Sequence, residues 1–374
     1  MKLTKLFAFL LAAAGLATAC GGDDNGDDTP DVSERGTLVL TASAGTMLSN
    51  GVDEVTFTVM FTPDGETIAV DVTDKAKIYE TGNNSILSSN KFTTGMEGTY
   101  KFYASYGPNI APTVEVVATP EIPELPADPN AASTLFAHRH LLIDHTGTEC
   151  PNCPYMMSAL EQLAEDSEYN SQFLLAASHS YNRTDPMYNQ GSAAIGNRLG
   201  NGYYPYVMMD LNKNLGVNNS MVAVNVQNLK KLLDNNKVDA PEAGLSAAVS
   251  ATPVQIIINA SVKAAVTGNY RVGMWILEDN IEAVQSGASA PEHNVHSNAV
   301  RAIVGSLTNL NGEEVGAIEA GQSANIVRTV NISSNWKIAN CKVLLFVTSD
   351  ADTTTPLKNC VLCPIGGTVA YEYK

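Results

Sequence analysis

Hydrophobic and polar positions alternate along much of the chain. Val55, Phe57, Val59 and Phe61 interleave with Thr56, Thr58, Met60 and Thr62, and Tyr100, Phe102, Ala104 and Tyr106 repeat the pattern. A period of two places every second side chain on one face, so these runs predict half-buried strands. Gly51, Pro63-Asp64-Gly65 and Asn83-Asn84 supply turns between them, and Val114 and Val116 extend the series. Residues 36–118 therefore predict an all-β sandwich without a cysteine pair, held by apolar packing alone. In 119–130, Pro120, Pro123, Pro126 and Pro129 recur at every third position, which is one ridge of a polyproline II helix. At ~3.1 Å per residue the segment predicts a semi-rigid strut of about 30 Å.

Residues 131–238 change to a mixed α/β pattern. Leu141-Leu142-Ile143, Phe173 to Ala177 and Tyr206 to Met209 read as short buried strands. Met156/Met157, Leu160 and Leu163/Ala164 recur at helical spacing. Ser220 is the expected cap of a helix running to about Asn235, with Val222, Val226, Leu229 and Leu233 on one face. Beyond Asp239-Ala240-Pro241 alternation returns, through Val254 to Val262, Val272 to Ile276 and Val343 to Val347. Residues 239–374 thus predict a second β-sandwich, and the fold class expected for the whole is multidomain α+β.

The N-terminus is read as an address. Lys2 and Lys5 precede a short apolar run from Leu6 to Ala19, too short to span a bilayer, so 1–19 is a signal peptide. Cleavage leaves Cys20 first, in the context Ala17-Thr18-Ala19-Cys20, which resembles a lipoprotein box; an ordinary secretory signal is the alternative. The run Gly21 to Asp28 makes 20–35 a self-repelling acidic tether, and its position beside Cys20 resembles the surface-export signal of some outer-membrane lipoproteins. The formal charge of −17 disfavours nucleic acid or an anionic lipid surface as partner. Membrane contact is accordingly expected through lipid at Cys20 only, at the outer membrane and facing outward, with the periplasmic face as the alternative.

Five further cysteines carry the candidate chemistry: Cys150, Cys153, Cys341, Cys360 and Cys363. In an exported chain these are expected as oxidised pairs or redox centres, with one thiol left over. Cys150-Pro151-Asn152-Cys153 falls between a hydrophobic run and an amphipathic helix, and Pro151 and Pro154 suit a helix's first turn. Residues three apart there have Cα atoms about 5 Å from each other, inside the disulfide window of about 4.4–6.8 Å. The helix N-terminus favours a thiolate on Cys150, although it supplies only about 0.3–1 of the roughly 2 kcal/mol that a pKa near 7 requires. This predicts an attacking Cys150 and a resolving Cys153 in a solvent-reachable pair, against the alternative of a static staple. For Cys360 and Cys363 a structural role is expected, since no helical stripe follows them, and Cys341 could pair with either. Glu292, His293 and His296 read as polar loop residues rather than metal ligands. His138, His140 and His145 read as strand-edge histidines, with His145 set apart by its neighbour Asp144. A four-thiolate zinc site would need two predicted domains to converge. No cofactor or metal is predicted.

Ile143-Asp144-His145-Thr146-Gly147-Thr148-Glu149-Cys150-Pro151-Asn152-Cys153-Pro154 resembles the active-site strand, loop and helix of thioredoxin-like proteins. The resemblance implies that Asp144 is the buried carboxylate accepting the resolving thiol's proton. It also implies that Pro205, in Tyr203-Tyr204-Pro205-Tyr206-Val207, is a cis-proline facing the disulfide. Glu149 and Tyr204 depart from the family pattern, the first tending to raise the Cys150 pKa and the second reshaping the substrate wall. The segment Gly98 to Tyr106 resembles a late strand of bacterial immunoglobulin-like modules. The arrangement of signal, lipid cysteine, immunoglobulin-like module, thioredoxin-like domain and C-terminal β domain resembles the outer-membrane-protein-twenty-eight-related lipoproteins, as does the stretch His293 to Arg301. Two functions follow as expectations: thiol–disulfide exchange with exported polypeptides, or a non-catalytic surface binding or adhesion protein using the thioredoxin-like domain as scaffold.

Overall fold

The computed structural model describes residues 33–350 and 356–374. The signal peptide, Cys20 and most of the acidic tether lie outside the described residues. The protein is β-rich, with 43% strand and 13% helix arranged in several sheets. No helix among the described residues is long and apolar enough to cross a membrane. Among the described residues two compact units are present: one holds 33–41 with Phe57–Asn90 and Phe102–Val114, the other Ala42–Thr56, Lys91–Lys101 and the described residues from Glu115 onward.

In the first unit the period-two runs become strands whose alternate side chains are buried. Phe57, Val59 and Phe61 face inward from one sheet, and Phe102, Ala104 and Tyr106 from the other. The rings meet in pairs, Phe57 with Phe102 at 4.7 Å and Phe61 with Tyr106 at 5.3 Å between centroids. Such tilted pairs add about 0.5–1.5 kcal/mol each to the burial of their area.

The second unit is built on a nine-stranded mixed sheet. Its order runs Asn212–Val217, Tyr206–Met209, His140–Thr146, Phe173–His179, Ala299–Ile303, Gly268–Glu278, Cys341–Ser349 and Leu357–Pro364, with Glu313–Ile318 also paired to Gly268–Glu278. His140–Thr146 lies parallel to Phe173–His179 and antiparallel to Tyr206–Met209. His140–Thr146 is buried on both faces, which is why it reads as an apolar run rather than an alternation. Helices α1 (Cys153–Glu165) and α3 (Val222–Asn235) cover one face through Met156, Leu160, Leu163, Leu229 and Leu233, while Ile195 of α2 (Gln190–Leu199) joins Leu141, Ile143 and Trp275 in a separate core. A four-stranded sheet, Ser323–Asn331, Gln255–Ala264, Ala243–Ala251 and Thr368–Val369, shares a core with Val272, Met274, Ile276, Val343 and Leu345.

Three features depart from the sequence reading. The sheet crosses the expected boundary at 238/239, because Ala177 of Phe173–His179 pairs with Ala299. Met221 rather than Ser220 precedes α3, without a side-chain cap. The proline-rich segment is fastened along Gln255–Ala264 instead of standing free: Asn259 Nδ2 donates to Pro123 O at 2.9 Å, and Lys263 Nζ donates to Asp128 Oδ2 and Ala131 O, both at 2.8 Å. Lys263 is buried, lies 5.4 Å from the centroid of the Tyr373 ring and also donates to that residue's hydroxyl. A charge enclosed this way keeps its place through several partners acting together.

Candidate functional site

The strands His140–Thr146 and Phe173–His179 run side by side to a common end, where Thr146 pairs with His179. In sheets with parallel strands the carboxyl ends are where loops gather and sites form. The turn leaving Thr146 leads through Gly147 to Cys150, whose N–H donates to Gly147 O at 3.1 Å. Helix α1 begins at Cys153, so Cys150 lies in the turn ahead of it. A disulfide joins Cys150 to Cys153, with Cα atoms 5.4 Å apart, inside the range the three-residue spacing allows. Pro205 follows a cis peptide bond from Tyr204 and leads into Tyr206–Met209. Because Tyr206 pairs with His145, Pro205 is brought to the same end of the sheet as the disulfide turn.

The turn is tied down from two sides. Asp185 accepts from the Thr148 N–H at 2.7 Å and is hydrogen-bonded to His179 Nδ1 at 2.9 Å. Burial opposes its charge, yet the His179 bond and the Thr148 and Met187 N–H groups hold its carboxyl down at about 2. On the other side, the segment between Ile281–Glu282 and Val295–His296, strands that pair with each other, crosses over the turn. Ser286 N–H donates to Thr148 O at 2.7 Å, and Gln285 Nε2 donates to Cys150 O at 2.9 Å and Gly147 O at 3.2 Å. Gly287, at φ +71°, sits so near the turn that a Cβ there would come within 2.2 Å of Pro151 O. A hydrogen bond of 2.8 Å between His293 Nε2 and Ser158 Oγ fixes the segment to α1.

The consequence is burial. Cys150 and Cys153 are each only 1% exposed. The expectation of a solvent-reachable pair is therefore not met; Gln285, Ser286 and Gly287 pack against the backbone of the turn that carries Cys150. Asp144 is also buried, paired in register with Ala177 and Val207, and its Oδ1 has no hydrogen-bond partner. Burial alone pushes its carboxyl up to about 7. Glu149 is exposed, and its carboxylate accepts from Asn182 and Thr184.

Two solved structures from Porphyromonas gingivalis are similar to this chain. That of HBP35 shares 16% identity and a TM-score of 0.50, covering 64% of this chain and 78% of that one. A domain of the outer membrane lipoprotein Omp28 shares 16% identity at a TM-score of 0.24, covering 35% of this chain and 93% of the domain. The first likeness is one of fold. No family model and no curated protein matches the chain.

Cys341, Cys360 and Cys363 are buried free thiols, not the oxidised pairs expected of an exported chain. Cys360 and Cys363 lie on one strand, Leu357–Pro364, where a separation of three sends them to opposite faces: Cys360 packs with Ile143 and Trp275, Cys363 with Val343 and Leu345. Cys341 shares the second core, but Cys363 is opposite Val343, which leaves the two thiols on a diagonal. Diagonal neighbours stand about 7–8 Å apart, outside the disulfide window. Burial pushes Cys341 up to about 12 and Cys363 to about 11.

All the histidines but His138 are buried. His140 Nδ1 is hydrogen-bonded to Asp210 at 2.6 Å. His145 is buried beside Tyr206 without a hydrogen-bond partner for either ring nitrogen, and burial lowers it to about 4. His293 and His296 are buried within the covering segment rather than exposed on a polar loop, and Glu292 beside them is exposed. Among the described residues, no group of three or more His, Cys, Asp or Glu is placed to hold a metal. Sequence reasoning missed Gln285, Ser286 and Gly287 altogether. Their only signal is a glycine in a polar stretch close to the His293 turn.

Proposed function

We propose that this chain is a lipid-anchored outer-membrane protein of the cell surface that acts by binding rather than by catalysis. In this reading 36–118 is an immunoglobulin-like spacer, 131–238 a thioredoxin-like scaffold, and the Cys150–Cys153 disulfide a sealed staple. The supporting observation is that both cysteines are buried, with Gln285 and Ser286 hydrogen-bonded to the turn that carries Cys150. The anchor at Cys20 and the outward orientation rest on the sequence. The test is the reduction potential of the pair in the purified protein. A staple gives a value below about −300 mV and no insulin reduction.

A second reading is favoured by Pro205 at the same end of the sheet as the disulfide turn and by the unpartnered Asp144. Here the covering segment lifts, an external dithiol reduces the Cys150–Cys153 disulfide, and the Cys150 thiolate then attacks a disulfide of an exported polypeptide, expelling one client sulfur as thiolate. The mixed disulfide is then released by Cys153, whose thiol proton passes to Asp144. That reading requires a potential above about −300 mV. It also requires client proteins to be trapped by Cys153→Ser and insulin reduction to be abolished by Cys150→Ser. Their absence leaves the staple.

A further inference from the structure

A cavity of about 280 Å³ opens between α1, the strand Phe173–His179 and residues 295–298. Asp144 forms part of its wall and is 4% exposed, with Oδ1 unpartnered. Met157, Leu160, Leu175 and Val295 make the lining largely apolar. The other ionisable wall residue is Glu161, and no Lys, Arg or His lines the space. Ser297 and Asn298 complete the wall, but neither is hydrogen-bonded to Asp144 Oδ1, and a buried carboxyl oxygen without a donor is costly.

We propose that this cavity is a binding site for a primary alkylammonium group, its nitrogen donating to Asp144 and its methylenes lying on Leu160 and Leu175. Each part of the ligand follows from the walls. Two carboxyls and no cation select a positive charge. The Asp144 carboxyl lacks a donor and takes an N–H, which a quaternary ammonium does not have. Hard metal ions need six or more oxygens, and among the described residues the wall has only two carboxylates, Asp144 and Glu161, with Ser297 and Asn298 beside them. The volume lies at the lower edge of small-molecule pockets, matching a short alkyl chain.

The same chemistry could come from a free amine or from the lysine side chain of a polypeptide. Calorimetric titration of the purified full chain at pH 8 therefore uses n-butylamine and a blocked lysine amide as separate arms, with n-butanol as the uncharged control. Saturable binding of either amine and none of butanol is expected, and the arm that binds identifies the source. Asp144→Asn weakens binding at least about tenfold. Ala164→Phe, at the exposed edge of the cavity, does the same while leaving Asp144 in place.

Affinity also falls by about tenfold per unit as pH drops below about 7, where Asp144 takes up its proton. Glu161 faces the cavity from α1 with Glu165 behind it, and Glu292 and His293 approach Glu161 from the covering segment. The strand partners of Asp144, Ala177 and Val207, carry no charge. Absence of saturable amine binding, equal binding by butanol, or undiminished binding in Asp144→Asn overturns the proposal.

Discussion

Replacing Gln285 by alanine tests whether the covering segment seals the disulfide. The Gln285 amide donates to Cys150 O at 2.9 Å, Gly147 O at 3.2 Å and Ser286 O at 3.1 Å, within a buried environment. Without it the first two carbonyls keep only the local N–H groups of Cys153, at 3.3 Å, and Cys150, at 3.1 Å. The Gln285 Oε1 is itself unpartnered, so its removal returns part of the loss. A deficit of about 1–3 kcal/mol remains, and it falls on the closed arrangement alone. The equilibrium for lifting the segment then rises about 5- to 150-fold. The assay is the rate at which dithiothreitol reduces Cys150–Cys153 under native conditions, followed by alkylation and intact mass. When opening is fast relative to reduction, this rate follows the open population. A urea melt of the same variant separates local from global loosening. A folded Gln285→Ala protein reduced at the wild-type rate refutes the seal, as does a wild-type pair already reduced like an exposed disulfide.

Asp144→Asn is expected to stabilise the protein in a pH-dependent way. A carboxyl raised from 3.8 to about 7 binds its proton more tightly in the folded state, so wild-type stability falls as pH climbs through that range. The variant gains on the order of a few kcal/mol at pH 8 and little at pH 4, measured by urea unfolding at each; an equal gain at both counts against the burial argument. Lys263→Met removes the charge that holds Asp128, Ala131 O and the Tyr373 hydroxyl. It costs about 2–3 kcal/mol, with Asp128 partly solvated, and limited proteolysis then cuts within 120–130. Cys341, Cys360 and Cys363, their thiols pushed up by burial, are expected to react with Ellman's reagent only on unfolding, and rapid reaction in the folded protein contradicts their placement.

The parts of this fold that local chemistry dictates were readable in advance. Alternation in Val55 to Phe61 placed a strand with one inward face, and the unbroken run at Leu141 to Ile143 placed one buried on both. The Met156, Leu160 and Leu163 spacing marked α1 because a helix returns to the same face every three or four residues. What depends on a distant partner was not readable. Nothing in Ala299 to Ile303 announces that it pairs with Phe173–His179, and nothing in Val284 to Ala288 announces that it lies across the cysteine turn. The second C-x-x-C shows the limit of a motif: it lies on a strand, where its thiols diverge to opposite faces. The prolines were read as a free strut because Lys263 and Asn259 sit more than a hundred positions away.

The pairing of Ala177 with Ala299 also sets a timetable. A chain emerging from its N-terminus delivers His140–Thr146, Phe173–His179 and Tyr206–Met209 long before the strand that completes their sheet. Until Ala299 arrives, Phe173–His179 presents an open row of amides and carbonyls that any passing extended peptide can join. Arrested or truncated chains ending near Val238 are thus the species most prone to stick to one another, and folding helpers that bind bare strand edges have most to do in that interval.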